Sequence, residues 1–212
     1  MIVEEVMNRN TTTLFPEDTI EKALRTLTEK GIRHIPIVNN EHELVGLISD
    51  RDVRDACPSI LDNPVSMDSL QQPIERIMTK HVITCHPLDF VEEIATIFYD
   101  NKIGCLPVTK EGKLVGIITE TNVLHTLVEL TGAYQPGSQI EVRVSNEPGV
   151  LSKVVSIFAK EGINIITILV YPDKDEHKVL VFRIQTMNPL RIIEVIREEG
   201  YEVLWPSIAG IS

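Results

Sequence analysis

Apolar and polar positions along this chain follow a pattern that occurs twice and then changes. Met7, Pro16 and Pro36 recur 71 residues on as Met78, Pro87 and Pro107, and Gly46 recurs 70 residues on as Gly116. The polar turn 39–43 is one residue longer than its partner, which accounts for the difference. A fixed period of this kind marks repeated structural units. In each copy a short strand (residues 11–14; 82–85) leads through Phe-Pro or His-Pro into an acidic helix start. Ile20, Ala23, Leu24 and Leu27 then recur at helical spacing over 19–30, as Val91, Ile94, Ala95 and Phe98 do over 89–101. A strand (35–38; 106–108), a polar turn, a β-branched strand (44–48; 114–118) and a second helix complete the copy. A β-α-β-β-α unit of roughly 50 residues buries too little core to stand alone, so the copies are expected to pack together.

Residues 57–72, with Pro58, Pro64, Ser66 and Ser69, read as a polar connector between the copies, and 132–138 as a Gly- and Pro-bearing linker. Beyond the linker the rhythm differs. Residues 140–144 alternate apolar and polar, as a half-exposed strand does, and Leu151, Val154, Val155 and Phe158 mark a helix. Two strands flank an acidic tip at 172–177; a helix with Ile192, Ile193 and Ile196 and an edge strand at 201–205 follow. The order β-α-β-β-α-β is the ferredoxin-like plan. The expected domains are 1–56, 72–131 and 139–212.

The chemistry sits at the end of each repeat. Residues 44–48 run straight into Ser49, with Asp52 three positions on; 114–118 run into Thr119, with Asn122 three positions on. A strand ending at a capped helix N-terminus offers free N–H groups and a positive dipole end, which suits a phosphate. The Asp52 carboxylate can accept hydrogen bonds from two ribose hydroxyls. The alternative is a capping box in which Asp52 only closes the helix; that box prefers the longer Glu or Gln, and neither copy has one.

Charge narrows the partners. The net charge of −11, with no basic run, disfavours nucleic acid and anionic membrane. No apolar run approaches the ~18 residues of a membrane span, and Met1-Ile-Val-Glu-Glu has no secretory-signal pattern. Three cysteines without a CxxC pair fit a reducing cytoplasm. His81, Cys85 and His86 suggest a metal cluster, but the repeat places Cys85 where Leu14 stands and His86 where Phe15 stands, so a structural role is expected and no metal site. His34 matches Cys105 and is expected to be packed. No Ser/His/Asp or Cys/His set stands out, so no catalytic residue is assigned.

Two copies of apolar–Gly–apolar–Ile–Ser/Thr–x–x–Asp/Asn, each preceded by an x-Pro strand, resemble a tandem pair of CBS domains (a Bateman module) over roughly 1–125. Asn146-x-Pro-Gly-Val-Leu with Gly162-Ile-Asn-Ile resembles an ACT domain over 139–212. In a short chain this combination is similar to the acetoin-utilisation AcuB family. The resemblance implies a cytoplasmic regulator connected with acetoin catabolism, read as non-enzymatic and acting on an unidentified protein. Apolar helix residues such as Ile97 and Leu127, and the sheet edges of an ACT unit, predict a homodimer. The same resemblance implies an adenine nucleotide such as AMP or ATP, or S-adenosylmethionine, in two clefts, with no cofactor. By resemblance Ser49, Arg51 and Asp52 face Thr79, Thr84 and Ile103, while Thr119, Thr121 and Asn122 face Asn8, Thr13 and Ile32. Asn122 and Thr121 replace the acid and the cation of the first set. The resemblance also places an amino acid at Asn146, Gly149, Val150, Leu151, Asn164 and Ile165, where free N–H groups at 150 and 151 would take a carboxylate. An interaction module with vestigial clefts, or an enzyme of acetoin metabolism, remains the alternative.

Overall fold

A computed structural model describes residues 1–56, 67–174 and 176–207; Cys57 and most of the expected connector lie outside the described residues. The chain divides into two compact units, Met1–Leu124 and His125–Ser212.

The first unit holds both repeats. In chain order its elements are α1 (Val3–Val6), α2 (Ile20–Lys30), β1 (His34–Val38), β2 (Leu44–Ser49), α3 (Asp50–Ala56) and α4 (Met67–Leu70). A 3-10 turn (Ile74–Arg76), α5 (Val91–Asn101), β3 (Cys105–Lys110) and β4 (Lys113–Thr119) follow, and the division between the units falls within α6 (Glu120–Leu130). Local chemistry sets the boundaries. The Lys22 N–H donates to Thr19 Oγ1 at 3.2 Å, capping α2, and Gly31 ends it in the left-handed region at φ 60°. β1 pairs antiparallel with β2 (Ile35 opposite Ile48, Ile37 opposite Gly46), and β3 with β4 in the matching register. The strands expected at 11–14 and 82–85 shrink to single bridges, Leu14 with Ile37 and Cys85 with Val108. Pro16 and Pro87 follow closely and have no N–H to extend a ladder.

The cores reveal an exchange. Val3 and Met7, at the start of the first repeat, are buried with Ile94, Phe98, Leu106, Val108 and Ile118 of the second. Ile74, with Leu70, Ile77 and Met78 packed alongside, belongs to the core of the first, with Ile20, Leu27, Ile35, Ile37 and Ile48. Asn8 bridges Ile117 and Thr79 bridges Leu47. The two motif glycines make this crossing possible. A Cβ on Gly46 would lie 2.6 Å from Met78 Sδ and 3.2 Å from the Thr79 carbonyl, and one on Gly116 would lie 2.7 Å from Met7 Sδ.

The second unit contains β5 (Ser138–Ser145), α7 (Val150–Lys160), β6 (Ile165–Pro172), β7 (His177–Ile184), α8 (Leu190–Glu198) and β8 (Glu202–Trp205). The sheet order β6-β7-β5-β8, antiparallel throughout, is the ferredoxin-like arrangement. Alternation along β5 and β7 sends Ile140, Val142, Val144, Leu180, Phe182 and Ile184 towards the helices. There Phe182 meets Phe158 with ring centroids 4.7 Å apart; burying such a side chain contributes about 1.5–3 kcal/mol. The opposite face is strapped by the linker. Thr167 Oγ1 donates to Thr131 O at 3.2 Å, and Arg183 Nη2 donates to Ala133 O and Gln135 O at 3.3 and 3.0 Å.

Candidate functional site

Each repeat brings its motif to a cleft walled by the other. The first cavity, about 510 Å³, is lined by Ser49, Arg51 and Asp52 together with Thr79 and Ile103. The second, about 290 Å³, is lined by Thr119, Thr121 and Asn122 together with Asn8 and Ile32. Two expected residues fall outside these walls. Val82 and Ile83 take the place assigned to Thr84, and Thr11 and Thr12 that assigned to Thr13. Cys85 and Leu14 are already pinned to the next strand by their bridges, so the wall comes from just upstream.

The motif residues close on themselves. The Ser49 N–H and Oγ–H both donate to Asp52 Oδ2 at 2.7 Å, and the Asp52 N–H donates back to Ser49 Oγ at 3.2 Å. Thr119 and Asn122 make the same three bonds at 2.9, 2.6 and 3.3 Å. A capping box therefore forms in both copies despite the short side chains. The Asp50 N–H donates to Arg33 O, and the Arg51 N–H has no partner among the described residues. Asp52 Oδ1 likewise has no partner among the described residues. One carboxylate oxygen closes the helix, and Asp52 also lines the cleft.

Sequence reasoning missed Arg33 and His34, which line both cavities. They end the loop between α2 and β1, where the second repeat has Gly104 and Cys105. A Cβ on Gly104 would lie 3.3 Å from His34 Cε1. His34, expected to be packed, is half-buried at this seam. Burial first and Arg33 second lower its pKa, against Asp50, Asp52 and Glu120, which raise it. Reading Arg33-His34 against Gly104-Cys105 at the 71-residue offset was the available signal. Burial pushes the thiols of Cys85 and Cys105 up to about 12, so both are protonated and poor nucleophiles at neutral pH. His86 Nδ1 accepts from the Leu88 N–H while Cys85 is buried. Among the described residues no group of three or more His, Cys, Asp or Glu is placed to hold a metal.

The CBS domain profile matches residues 3–59 and 74–129. The chain belongs to the CBS-domain family. An ACT domain profile matches 138–200, so the chain carries a tandem CBS pair followed by an ACT domain. An AcuB-like CBS protein from Vibrio cholerae is 32% identical, with a TM-score of 0.55 over 64% of this chain and 98% of that one. The CBS domain pair of protein MJ0100, solved in complex with 5′-methylthioadenosine and S-adenosyl-L-methionine, is 26% identical. Its TM-score is 0.53 over 61% of this chain and 97% of that one. A homoserine O-acetyltransferase from Methanococcus vannielii is 37% identical over 127 residues, 59% of this chain but 25% of that enzyme. The chain thus spans about a quarter of the length of that curated relative.

In the ACT domain the expected residues divide into two groups. Asn146, Gly149, Val150 and Leu151 follow the end of β5, where Ser145 pairs with His177. Asn164 and Ile165 stand at the other end of the sheet, where Ile165 and Ser138 both pair with Ile184. The length of β5, roughly 24 Å at about 3.4 Å per residue, separates them. The Val150 N–H is already taken, donating to Glu147 O at 3.4 Å, which leaves Leu151 of the expected pair. Asn164 Nδ2 donates to Gln185 Oε1 at 3.0 Å. Within one chain these six residues do not meet.

Proposed function

We propose that this chain is a non-enzymatic regulatory sensor that binds an adenine nucleotide, or a related adenosine ligand, between its CBS repeats. The carrying observation is the first cleft: Asp52 and Arg51 on one wall, with Val82, Ile83 and Ile103 of the other repeat as an apolar wall for a base. Its volume of about 510 Å³ suits a nucleotide. The adenosine ligands of the similar MJ0100 pair support the ligand class. The AcuB-like neighbour supports a role in acetoin utilisation, and we place the protein in the cytoplasm. Leu124, Leu127 and Leu130, 47 to 61% exposed on one helix, support a homodimer through which an unidentified target protein is controlled. An amino acid bound by the ACT domain would sit between two copies, the Asn146 end of one against the Asn164 end of the other.

Titration calorimetry with AMP, ATP and S-adenosylmethionine tests the reading. We expect one strong site per chain, weakened at least tenfold by Asp52→Ala and far less by Asn122→Ala. No heat and no shift in melting temperature with any of the three refutes it. That result would favour the second reading, an interaction module with vestigial clefts, to which the closed capping boxes lend support. An enzymatic role would need an activated nucleophile, and the described thiols are held protonated.

A further inference from the structure

The walls of the two clefts are unequal in charge and share one residue. The first is lined by Arg51 and Lys102, beside Asp50, Asp52 and Glu120. The second has neither a carboxylate nor a lysine in its lining; Arg33 is its one cation among the described residues, and Arg33 also lines the first. The repeat explains why. Near-equivalent segments, 33–34 and 104–105, approach one another in the wall between the clefts, where His34 lies against Gly104. One copy supplies Arg-His and the other Gly-Cys, so the seam holds one guanidinium where symmetry would give two or none.

Three observations place that charge at the seam with its donors available. Arg33 is exposed, and its guanidinium makes no ion pair or hydrogen bond with the described residues. Its positive charge acts on one residue from each repeat, adding to the lowering of His34 by burial and opposing the raising of Cys105 by burial. Its carbonyl accepts the Asp50 N–H at 2.9 Å, which fixes the backbone beside the first motif. A long side chain anchored there has a cavity on either side.

We infer that Arg33 is a phosphate-binding residue shared by both clefts, so that two phosphate-bearing ligands on one chain compete for one guanidinium. This rests on the adenosine-ligand reading above. An uncharged adenosine has no phosphate to draw on Arg33 and fills the clefts independently. A phosphate in the first cleft can turn to Arg51 and Lys102; in the second it depends on Arg33. On a chain of net charge −11, no other lysine or arginine lines that cleft among the described residues.

Calorimetry on the full chain, with AMP and adenosine as paired probes, decides the matter. Arg33→Gln is expected to weaken both AMP binding steps, the weaker step tenfold or more and the stronger at least threefold, and to leave adenosine within twofold. Arg33→Lys should restore part of both AMP steps. Arg51→Gln should weaken the stronger step alone. An Arg33→Gln effect on one AMP step only, an equal loss of adenosine, or a wild type that takes up a single AMP overturns the inference. Binding of neither probe overturns the adenosine reading itself, which separates the two failures.

Discussion

The two repeats pose, one residue at a time, the question of what an acid at the helix start is for. Asn122 makes the same three capping bonds as Asp52 with a neutral amide, so capping does not require the charge. Asp52→Asn should therefore leave the free protein within about 0.5 kcal/mol in urea unfolding, since it exchanges one good cap for another. The same change should cost AMP affinity tenfold or more in calorimetry, because charge-assisted hydrogen bonds are worth about 1.5–3 kcal/mol. His34 gives a pH test. Its pKa is lowered in the folded chain, chiefly by burial and then by Arg33, from an ordinary value of 6.5. The unfolded chain then binds the proton more readily, so this contribution is complete above about pH 6.5 and is lost as pH falls through the folded value. His34→Gln should flatten that part of the stability profile between about pH 7.5 and 5 in denaturant unfolding.

Among the elements, the lead-in segments carry more weight than their short secondary structure suggests. Val3 is fully buried in the core of the second repeat and Ile74 in that of the first. Val3→Ala should cost about 2 kcal/mol and Ile74→Ala about 2–5 kcal/mol. Hydrogen exchange should locate the damage crosswise, in β3–β4 for Val3→Ala and in β1–β2 for Ile74→Ala. The helices and paired strands were legible in the sequence because their periodicities, caps and prolines are local. The exchange was not, since a repeat shows which residues correspond and says nothing about which copy each one packs against. The same limit explains the site. Ser49, Arg51, Asp52, Thr119 and Asn122 lie at a strand-to-helix junction readable in one stretch. Arg33 lines both clefts only because segments 33–34 and 104–105 come together in the fold. Thr84 and Thr13 were carried over from resemblance, and the clefts take their walls a residue or two upstream.

At the scale of the whole molecule, the division of the ACT residues has a direct consequence. Asn146 and Asn164 stand at opposite ends of one sheet, so an amino acid touching both must lie between two chains. Amino-acid binding should then depend on protein concentration and vanish where light scattering finds the 23.8 kDa monomer. AMP binding, housed within one chain, should be indifferent to dilution. Leu127→Arg, on the exposed side of α6, should shift the mass towards the monomer. A monodisperse monomer at micromolar concentration that still binds an amino acid would refute both expectations.

The crossing of Val3 and Met7 onto the far repeat also dictates a timetable at the ribosome. The Val3 N–H donates to Asp89 O at 2.9 Å, and Asn8 exchanges backbone hydrogen bonds with Ile117. Val3 and Asn8 must therefore wait while about a hundred later residues are made, roughly 5 to 20 s at ordinary synthesis rates. Throughout that interval Val3 and Met7 have no core to enter. The first repeat stays open until Ile74 and Met78 arrive to close it. Nascent chains halted before residue 117 has emerged should lose their amino-terminal segment to protease, and chains halted later should keep it. Two halves that look like independent copies are thus completed almost together, each finished by the other's leading end.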